Sequence, residues 1–189
     1  MREQSFAQRY VDDLRSVLGG LDAAAIGRAI TCLRATRDAG RTIFTCGNGG
    51  SAALASHIVA DLAKGGSYQK KTRPFRVLSL ADNIDTLTAY ANDVNYEAVF
   101  VEQLRNWAQP GDVLIAISGS GNSPNVLRAV EYASSVGCTT IGLTTGESGR
   151  LKDIVTLPLL VPCGHMGRLE DTFLAVAHVL CYAFMEDAC

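Results

Sequence analysis

The chain has 189 residues, of which 48% are hydrophobic, so it is long and apolar enough for one domain with a sizeable core. Seventeen basic and 19 acidic residues leave a formal charge of -2, far from the basic balance that nucleic-acid phosphates require, so we expect no direct nucleic-acid partner. The N-terminus has no apolar signal core, and the longest nearly unbroken apolar run, residues 173–185, is shorter than the ~20 residues that span a bilayer. We therefore expect no membrane association and a cytoplasmic location.

Segments with helical and strand-like hydrophobic spacing alternate along the chain. Apolar residues at helical spacing predict two leading helices, at 2–18 and 21–39, divided by Gly19-Gly20. The further predicted elements are a strand at 42–46, a helix at 51–64 with Ser51 as its N-cap, a strand at 75–80, helices at 82–91 and 96–107, a strand at 112–117, a helix at 123–136, a strand at 139–143, a short helix near 149, a strand at 154–161 and a helix at 166–185.

Strands that are separated by helical crossovers predict a parallel sheet covered on both faces. The expected fold is therefore an α/β three-layer αβα sandwich of flavodoxin-like type. We expect a single domain over 1–189, with a helical pair at 1–38 and the sandwich at 39–189. In such sheets ligands bind beyond the carboxyl ends of the strands, where the strand order reverses.

Six cysteines, at 32, 46, 138, 163, 181 and 189, include no CxxC pair, which argues against a zinc finger or a thioredoxin-like motif. In a reducing compartment most of them are expected to be small core residues. Cys46 lies beside a glycine-rich turn, so it is either a reactive thiol or a packing residue at the end of a strand. The packing interpretation is favoured.

Two loops rich in glycine, serine and asparagine follow predicted strands: Gly-Asn-Gly-Gly-Ser at 47–51 and Ser-Gly-Ser-Gly-Asn-Ser at 118–123. Close backbone approach, hydroxyl donors and a helix N-terminus together suit a phosphate monoester. One such loop alone is more often a tight turn before a capped helix, but two at neighbouring strand ends favour an anion site. A dinucleotide or ATP site is not favoured, because no acidic residue closes the second strand and no Walker A spacing occurs.

Two pairs of candidate ligands or acid-base groups each share a helix face. His57 and Asp61 are four residues apart, and Glu170 and His178 are eight apart. Together they could bind a divalent ion or transfer protons. The alternative is that the histidines are core or interface residues and the carboxylates are solvated. His165 is interpreted as a loop or interface residue, and the basic stretch at 64–73 as a solvated segment.

These motifs resemble one known family. The loop at 47–51 with His57, the Ala-Asn-Asp at 91–93 followed by Tyr96, the Ser-Gly-Ser-Gly-Asn-Ser-Pro-Asn at 118–125 and the Arg-Leu-Glu-Asp at 168–171 with His178 resemble the SIS (sugar isomerase) domain family, phosphoheptose isomerase type. The resemblance implies a five-stranded parallel sheet and a homotetramer with sites at subunit interfaces. It also implies a cytosolic isomerase that converts sedoheptulose 7-phosphate, a ketose, to the aldose D-glycero-D-manno-heptose 7-phosphate.

The resemblance also assigns roles to individual residues. The substrate-binding set is Asn48, Gly49, Gly50, Ser51, Asn92, Asp93, Ser118, Gly119, Ser120, Ser123 and Glu170, with Ser51 and the four residues at 118–123 on the phosphate side. The metal set, with Zn²⁺ as the expected ion, is His57, Asp61, Glu170 and His178. Asp61 or Glu170, with His178, would transfer the proton. Gly119 stands where a threonine is common.

Two members of the metal set depart from the family pattern. Asp61 stands where a glutamate is expected, and a carboxylate displaced by ~1 Å can cost a base ~100-fold in rate. Glu170 stands where a glutamine is expected and adds a negative charge, and Phe173 stands where relatives often carry a histidine. These departures leave two alternatives open: an isomerase for a different sugar phosphate, or a non-catalytic SIS module that binds a sugar phosphate or a protein, like the replication-initiator-associating relatives.

Overall fold

A five-stranded parallel sheet forms the centre of the molecule. A computed structural model describes residues 2–186. The strands run β1 (Thr42–Cys46), β2 (Arg76–Ser79), β3 (Val113–Ser118), β4 (Thr139–Thr145) and β5 (Leu157–Val161). Their spatial order is β2-β1-β3-β4-β5, so the order reverses between β1 and β3. The predicted parallel α/β sandwich is confirmed, and the carboxyl ends of β1 and β3 flank the expected binding crevice.

Helices cover both faces of the sheet. They are α1 (Arg2–Gly19), α2 (Ala23–Asp38), α3 (Gly50–Ala60), α4 (Ile84–Asp93), α5 (Val101–Trp107), α6 (Pro124–Ser135), α7 (Leu151–Ile154) and α8 (Met166–Met185). Side chains of α2, α3 and α8 form one core with the sheet, and those of α5, α6 and α7 form the second core on the other face. Strands that are apolar on both faces, such as β3, are buried along their whole length.

Helix α1 lies outside these layers and packs against α8, and none of its residues is buried. Within residues 2–186, no single helix is long and apolar enough to span a membrane. Only α1 and α2 taken together, with a bend of 67° between them, reach that length and composition.

The start of α3 differs from the prediction. Ser51 is not its N-cap: Gly49 is, and Ser51 lies in the first turn. Gly49 has a φ of 55°, a conformation that glycine adopts without strain, and it turns the chain so that its carbonyl accepts the N–H groups of Ala52 and Ala53. At its other end α3 passes into a π-helical turn, Asp61–Gly65, which hydrophobic spacing does not reveal.

Other boundaries shift by a few residues. The predicted helix at 96–107 is a 3-10 turn (Tyr96–Ala98) followed by α5, and the predicted strand at 154–161 begins only at Leu157.

Five of the six cysteines are described and are free thiols; Cys189 lies outside the described residues. Burial raises the pKa of Cys46 to about 12, so this thiol stays protonated at neutral pH and packs in the core.

Candidate active site

Two asparagines join the glycine-rich loop after β1 to the helix after β3. The Nδ2 of Asn48 donates to the Oδ1 of Asn125, and the Nδ2 of Asn125 donates to the Oδ1 of Asn48, both at 2.9 Å. The hydroxyl of Tyr96 also donates to Asn48 Oδ1, at 2.9 Å. The predicted sugar-contacting side chain of Asn48 is thus engaged with protein groups, which fixes the loop against the second strand end.

The loop 118–123 forms the other side of the crevice. The hydroxyls of Ser118 and Ser123 lie 3.1 Å apart, and the hydroxyl of Ser120 accepts the N–H of Asn122. Gly121 has a φ of 66°, which reverses the chain before α6. Three serine hydroxyls therefore gather at the positively polarised start of a 12-residue helix, an arrangement that suits an anion.

Gly119, where a threonine is common in the family, lies beside the start of α8. A Cβ at this position would lie 2.8 Å from the Sδ of Met166 and 3.4 Å from a methyl carbon of Leu169. A side chain at 119 would therefore displace the side chain of Met166, which is half exposed and can move.

A third segment supports the same loop from outside. Leu151 donates its N–H to the Gly121 carbonyl at 2.9 Å, and Arg150 donates its N–H to Asn122 Oδ1 at 3.1 Å. Gly149 approaches so closely that a Cβ there would lie 2.5 Å from the carbonyl oxygen of Ser120. Hydrophobic spacing and local motifs do not reveal these residues, because their role depends on contacts with a loop about 30 residues away.

Three of the four predicted metal ligands come together. The Nε2 of His57 lies 3.0 Å from the Nε2 of His178 and 3.3 Å from the Oδ2 of Asp61, and the three ligand atoms are all within 4.8 Å of one another. Two nitrogens on one tetrahedral ion with bonds of ~2.0–2.1 Å lie ~3.4 Å apart. The Oδ2 of Asp61 is buried without a hydrogen-bond partner. Coordination to a cation would compensate for the missing hydrogen bond. These donors fit a divalent ion.

The fourth predicted ligand, Glu170, does not join this group within the described residues. Its carboxylate lies over the start of α3 instead: a Cβ on Gly50 would be 3.3 Å from Oε1 and 3.6 Å from Oε2. Glu170 lines a cavity of about 310 Å³ together with Ser51, His57, Phe173 and residues of the first turns of α3 and α8. His178 lines a second cavity, of about 580 Å³, with Ile30 and the end of α8. The histidine pair therefore lies between two cavities.

Two further residues of the predicted substrate-binding set, Asn92 and Asp93, lie at the end of α4. Asn92 donates to the carboxylate of its neighbour Asp93 at 2.8 Å, and both are exposed. The nearby Tyr96, and neither of these two residues, forms a hydrogen bond to Asn48. His165 is not part of the histidine pair: its Nδ1 accepts the N–H of Arg168 and so caps the start of α8, as a loop role predicts.

Side chains of α1 bond to α8 near the smaller cavity. The hydroxyl of Tyr10 donates to Asp171 Oδ2 at 2.6 Å, and this hydrogen bond raises the pKa of Tyr10. Arg168 forms an ion pair with Asp13 at 2.7 Å and lies 5.0 Å from the Tyr10 ring centre. These contacts hold α1 against α8 beside the cavity that Asp171 also lines.

The reversed strand order, the loop 118–123 (the serine loop) and the histidine-carboxylate group define an α/β domain whose strand-end crevice suits a small anionic ligand. A family model described as SIS domain matches residues 9–145. Phosphoheptose isomerase from a Nitratiruptor species is 42% identical over 153 residues, which cover 81% of this chain and 80% of that protein. Phosphoheptose isomerase from Crocosphaera subtropica is 42% identical over 179 residues, 95% of this chain and 84% of that protein.

A solved structure agrees with these relatives. Phosphoheptose isomerase GmhA from Neisseria gonorrhoeae superimposes with a TM-score of 0.88 at 26% identity, and the match covers 97% of this chain and 98% of that one. The chain therefore belongs to the SIS domain family and, within it, to the phosphoheptose isomerases.

Proposed function

We propose that this protein is an aldose-ketose isomerase that converts sedoheptulose 7-phosphate to D-glycero-D-manno-heptose 7-phosphate through an enediol. The observation that carries the proposal is the group of His57, Asp61 and His178, whose ligand atoms lie within 4.8 Å of one another beside a cavity that opens at the strand-end loops. Relatives that are 42% identical bear the name of this activity. The same geometry would serve a different sugar phosphate, which is the alternative substrate.

The phosphate is assigned to the serine loop. Ser118, Ser120 and Ser123 present hydroxyls at the start of α6, and buried Ser51 lies in the first turn of α3. Two helix starts therefore direct their positive dipole ends toward the crevice. Anchoring the phosphate there would leave the other end of an open-chain sugar to reach the cavity that His57 and Glu170 line.

Isomerisation requires a base that moves a proton between C1 and C2 and a group that stabilises charge on the carbonyl oxygen. We assign proton transfer to His178 and to one of the carboxylates, Asp61 or Glu170. A divalent ion, Zn²⁺ in the proposal, would be held by His57, Asp61 and His178 and would polarise the carbonyl group. Two neutral imidazoles and one carboxylate leave such an ion with a net positive charge.

We propose further that the working assembly is a homotetramer in the cytoplasm, with active sites at subunit interfaces. The proposal of an oligomer is supported by apolar side chains that a single chain leaves exposed. Phe6 and Val11 on α1 are 60% and 58% exposed, and Val179 on α8, next to His178, is 50% exposed. The free thiols of the five described cysteines fit a reducing compartment.

Turnover of sedoheptulose 7-phosphate, measured with and without a chelator, tests the proposal. We expect turnover that the chelator abolishes and that added Zn²⁺ restores, with one equivalent of metal by elemental analysis. His178→Gln should abolish turnover yet still bind inorganic phosphate. His165→Gln is the matched control, because His165 lies outside the metal group and should leave turnover within a few-fold. No bound metal and no turnover by the wild-type protein, with phosphate binding equal in wild type and His178→Gln, would favour a non-catalytic binding module instead.

A further inference from the structure

The two acidic residues of the candidate site occupy different surroundings. Asp61 faces the histidine pair: its Oδ2 is buried, lies 3.3 Å from His57 Nε2 and has no hydrogen-bond partner. Asp61 is not among the residues that line the cavity of about 310 Å³, whereas Glu170 is. A substrate in that cavity would therefore meet the carboxylate of Glu170 and not that of Asp61.

From this separation we propose that Glu170 is the base that takes the proton from the substrate carbon, while Asp61 serves only to hold the metal ion. The inference rests on the proposed isomerase function and divides its two carboxylates between two tasks. A carboxylate oxygen that is committed to a cation is a weaker proton acceptor, so the residue that stays outside the metal group is the better base.

The position of Glu170 on α8 connects it with both substrate loops. Its carboxylate oxygens would lie 3.3 Å and 3.6 Å from a Cβ on Gly50, in the loop after β1. The preceding residue, Leu169, would lie 3.4 Å from a Cβ on Gly119, in the loop after β3. The first turns of α8 thus lie between the two loops and place the carboxylate of Glu170 beside Gly50.

The surroundings also keep this carboxylate available as a base. Within residues 2–186 neither oxygen of Glu170 has a hydrogen-bond or ion-pair partner, so both are free to face a ligand. Both oxygens lie beside Gly50, the first residue of the 11-residue helix α3. Phe173, one turn further along α8, is fully buried and forms an apolar wall of the same cavity.

In the ketose-to-aldose direction, Glu170 accepts a proton from C1, and the electron pair of the broken C–H bond forms the C1–C2 double bond while the carbonyl π pair moves to O2. In the resulting enediolate the hydroxyl proton of O1 moves to O2. The C1–C2 π pair then takes the proton from Glu170 onto C2, and a lone pair of O1 forms the carbonyl bond to C1, which leaves the aldehyde and an unchanged carboxylate.

Glu170→Gln tests this assignment, because the amide keeps the size and reach of the side chain and loses its basicity. We expect kcat to fall by ~10²–10⁴-fold, the contribution typical of a positioned base, with KM changed by less than about threefold. The purified variant should retain one equivalent of metal, and in D₂O it should no longer incorporate deuterium at C1 or C2. Asp61→Asn should instead lose the metal.

Glu102→Gln provides the matched control. It makes the same change at a carboxylate of α5, on the other face of the sheet, that is paired with Arg105 at 3.2 Å, so kcat and deuterium incorporation should stay within a few-fold of the wild type. A Glu170→Gln variant with kcat within threefold of the wild type would overturn the assignment, as would a loss of metal in proportion to its loss of turnover. A wild-type protein that turns over no sugar phosphate would overturn the proposed function itself, and this assignment with it.

Discussion

Asn48 and Asn125 exchange two side-chain hydrogen bonds of 2.9 Å across the switch in strand order. Asn125 is 2% exposed, and its Oδ1 also accepts the N–H of Val126 at 3.0 Å. The pair therefore ties the loop after β1 to the first turn of α6 at the place where the substrate is proposed to bind. Replacement of either residue leaves the side-chain amide donor of the other without its partner.

We predict that Asn125→Ala lowers the free energy of unfolding by about 1–3 kcal/mol and raises KM for the sugar phosphate more than it lowers kcat, because the two loops lose their connection. Urea unfolding and steady-state kinetics measure the two effects. Asn106→Ala removes the same side chain from an exposed position of α5 and should change stability by no more than about 0.5 kcal/mol. Equal effects of the two variants would contradict the proposed link.

Much of the fold is predictable from the sequence because periodic apolar segments alternate and the glycine-rich loops mark two strand ends. The parallel sheet and the long helices follow from that pattern. The N-cap of α3 does not, because its position depends on the positive φ of Gly49 rather than on the more usual capping side chain of Ser51.

The details of the site depend on contacts between distant segments. The π-helical turn at Asp61 lies where Gly65 approaches the end of α8 so closely that a Cβ would be 2.3 Å from Met185. Helical spacing correctly predicts that His57 shares a helix face with Asp61. It does not show that Glu170 lies over Gly50 while the other three converge, because that depends on how α3 packs against α8.

The buried thiol of Cys46 should make stability fall at alkaline pH. Burial raises its pKa from 9.0 to about 12, so the native state holds this proton more tightly than the unfolded chain does. The contribution is fully present below pH ~9, the unfolded pKa, and is lost as the pH rises toward 12, with a slope of at most about 1.4 kcal/mol per pH unit.

We therefore predict that wild-type protein loses more stability between about pH 9 and about pH 10.5 than Cys46→Ala does. The urea midpoint of each protein, measured at several pH values, gives the difference. Ile115→Val serves as the control, because it alters the buried face of the neighbouring strand β3 without removing a titratable group, so its cost should be the same at every pH. Parallel pH profiles for wild type and Cys46→Ala would show that this thiol does not contribute.

Helix α1 presents an apolar surface through which chains can assemble. No residue of α1 is buried within one chain, and Phe6 and Val11 are both more than half exposed. We predict that Phe6→Asp combined with Val11→Asp reduces the sedimentation coefficient toward that of a monomer, because charges on this surface oppose its burial. Ile84→Asp alters an apolar side chain that is 69% exposed on α4, across the sheet, and should leave assembly unchanged. Monomeric wild-type protein at concentrations that support activity would contradict the prediction.

Gly149 lies against the backbone of the serine loop. Gly149 has a φ of 91°, and a Cβ on it would lie 2.5 Å from the carbonyl oxygen of Ser120 and 2.7 Å from the Cα of Gly121. Both neighbours are backbone atoms, so an added methyl group can be accommodated only if the loop itself moves. The loop also has an unpaired buried hydroxyl behind it, Thr144 Oγ1, which would lie 2.9 Å from a Cβ on Gly121.

We predict that Gly149→Ala weakens binding of inorganic phosphate at least tenfold and lowers the free energy of unfolding by about 1–3 kcal/mol, the typical cost of a strained backbone position. Isothermal titration with phosphate and urea unfolding measure the two quantities. Gly27→Ala is the matched control with the opposite sign: Gly27 lies inside α2 with open space around it, so alanine there should stabilise the protein by about 0.5–1 kcal/mol and leave phosphate binding unchanged. If Gly149→Ala lowers stability but binds phosphate as tightly as the wild type, the segment around residue 149 supports the fold without shaping the phosphate site.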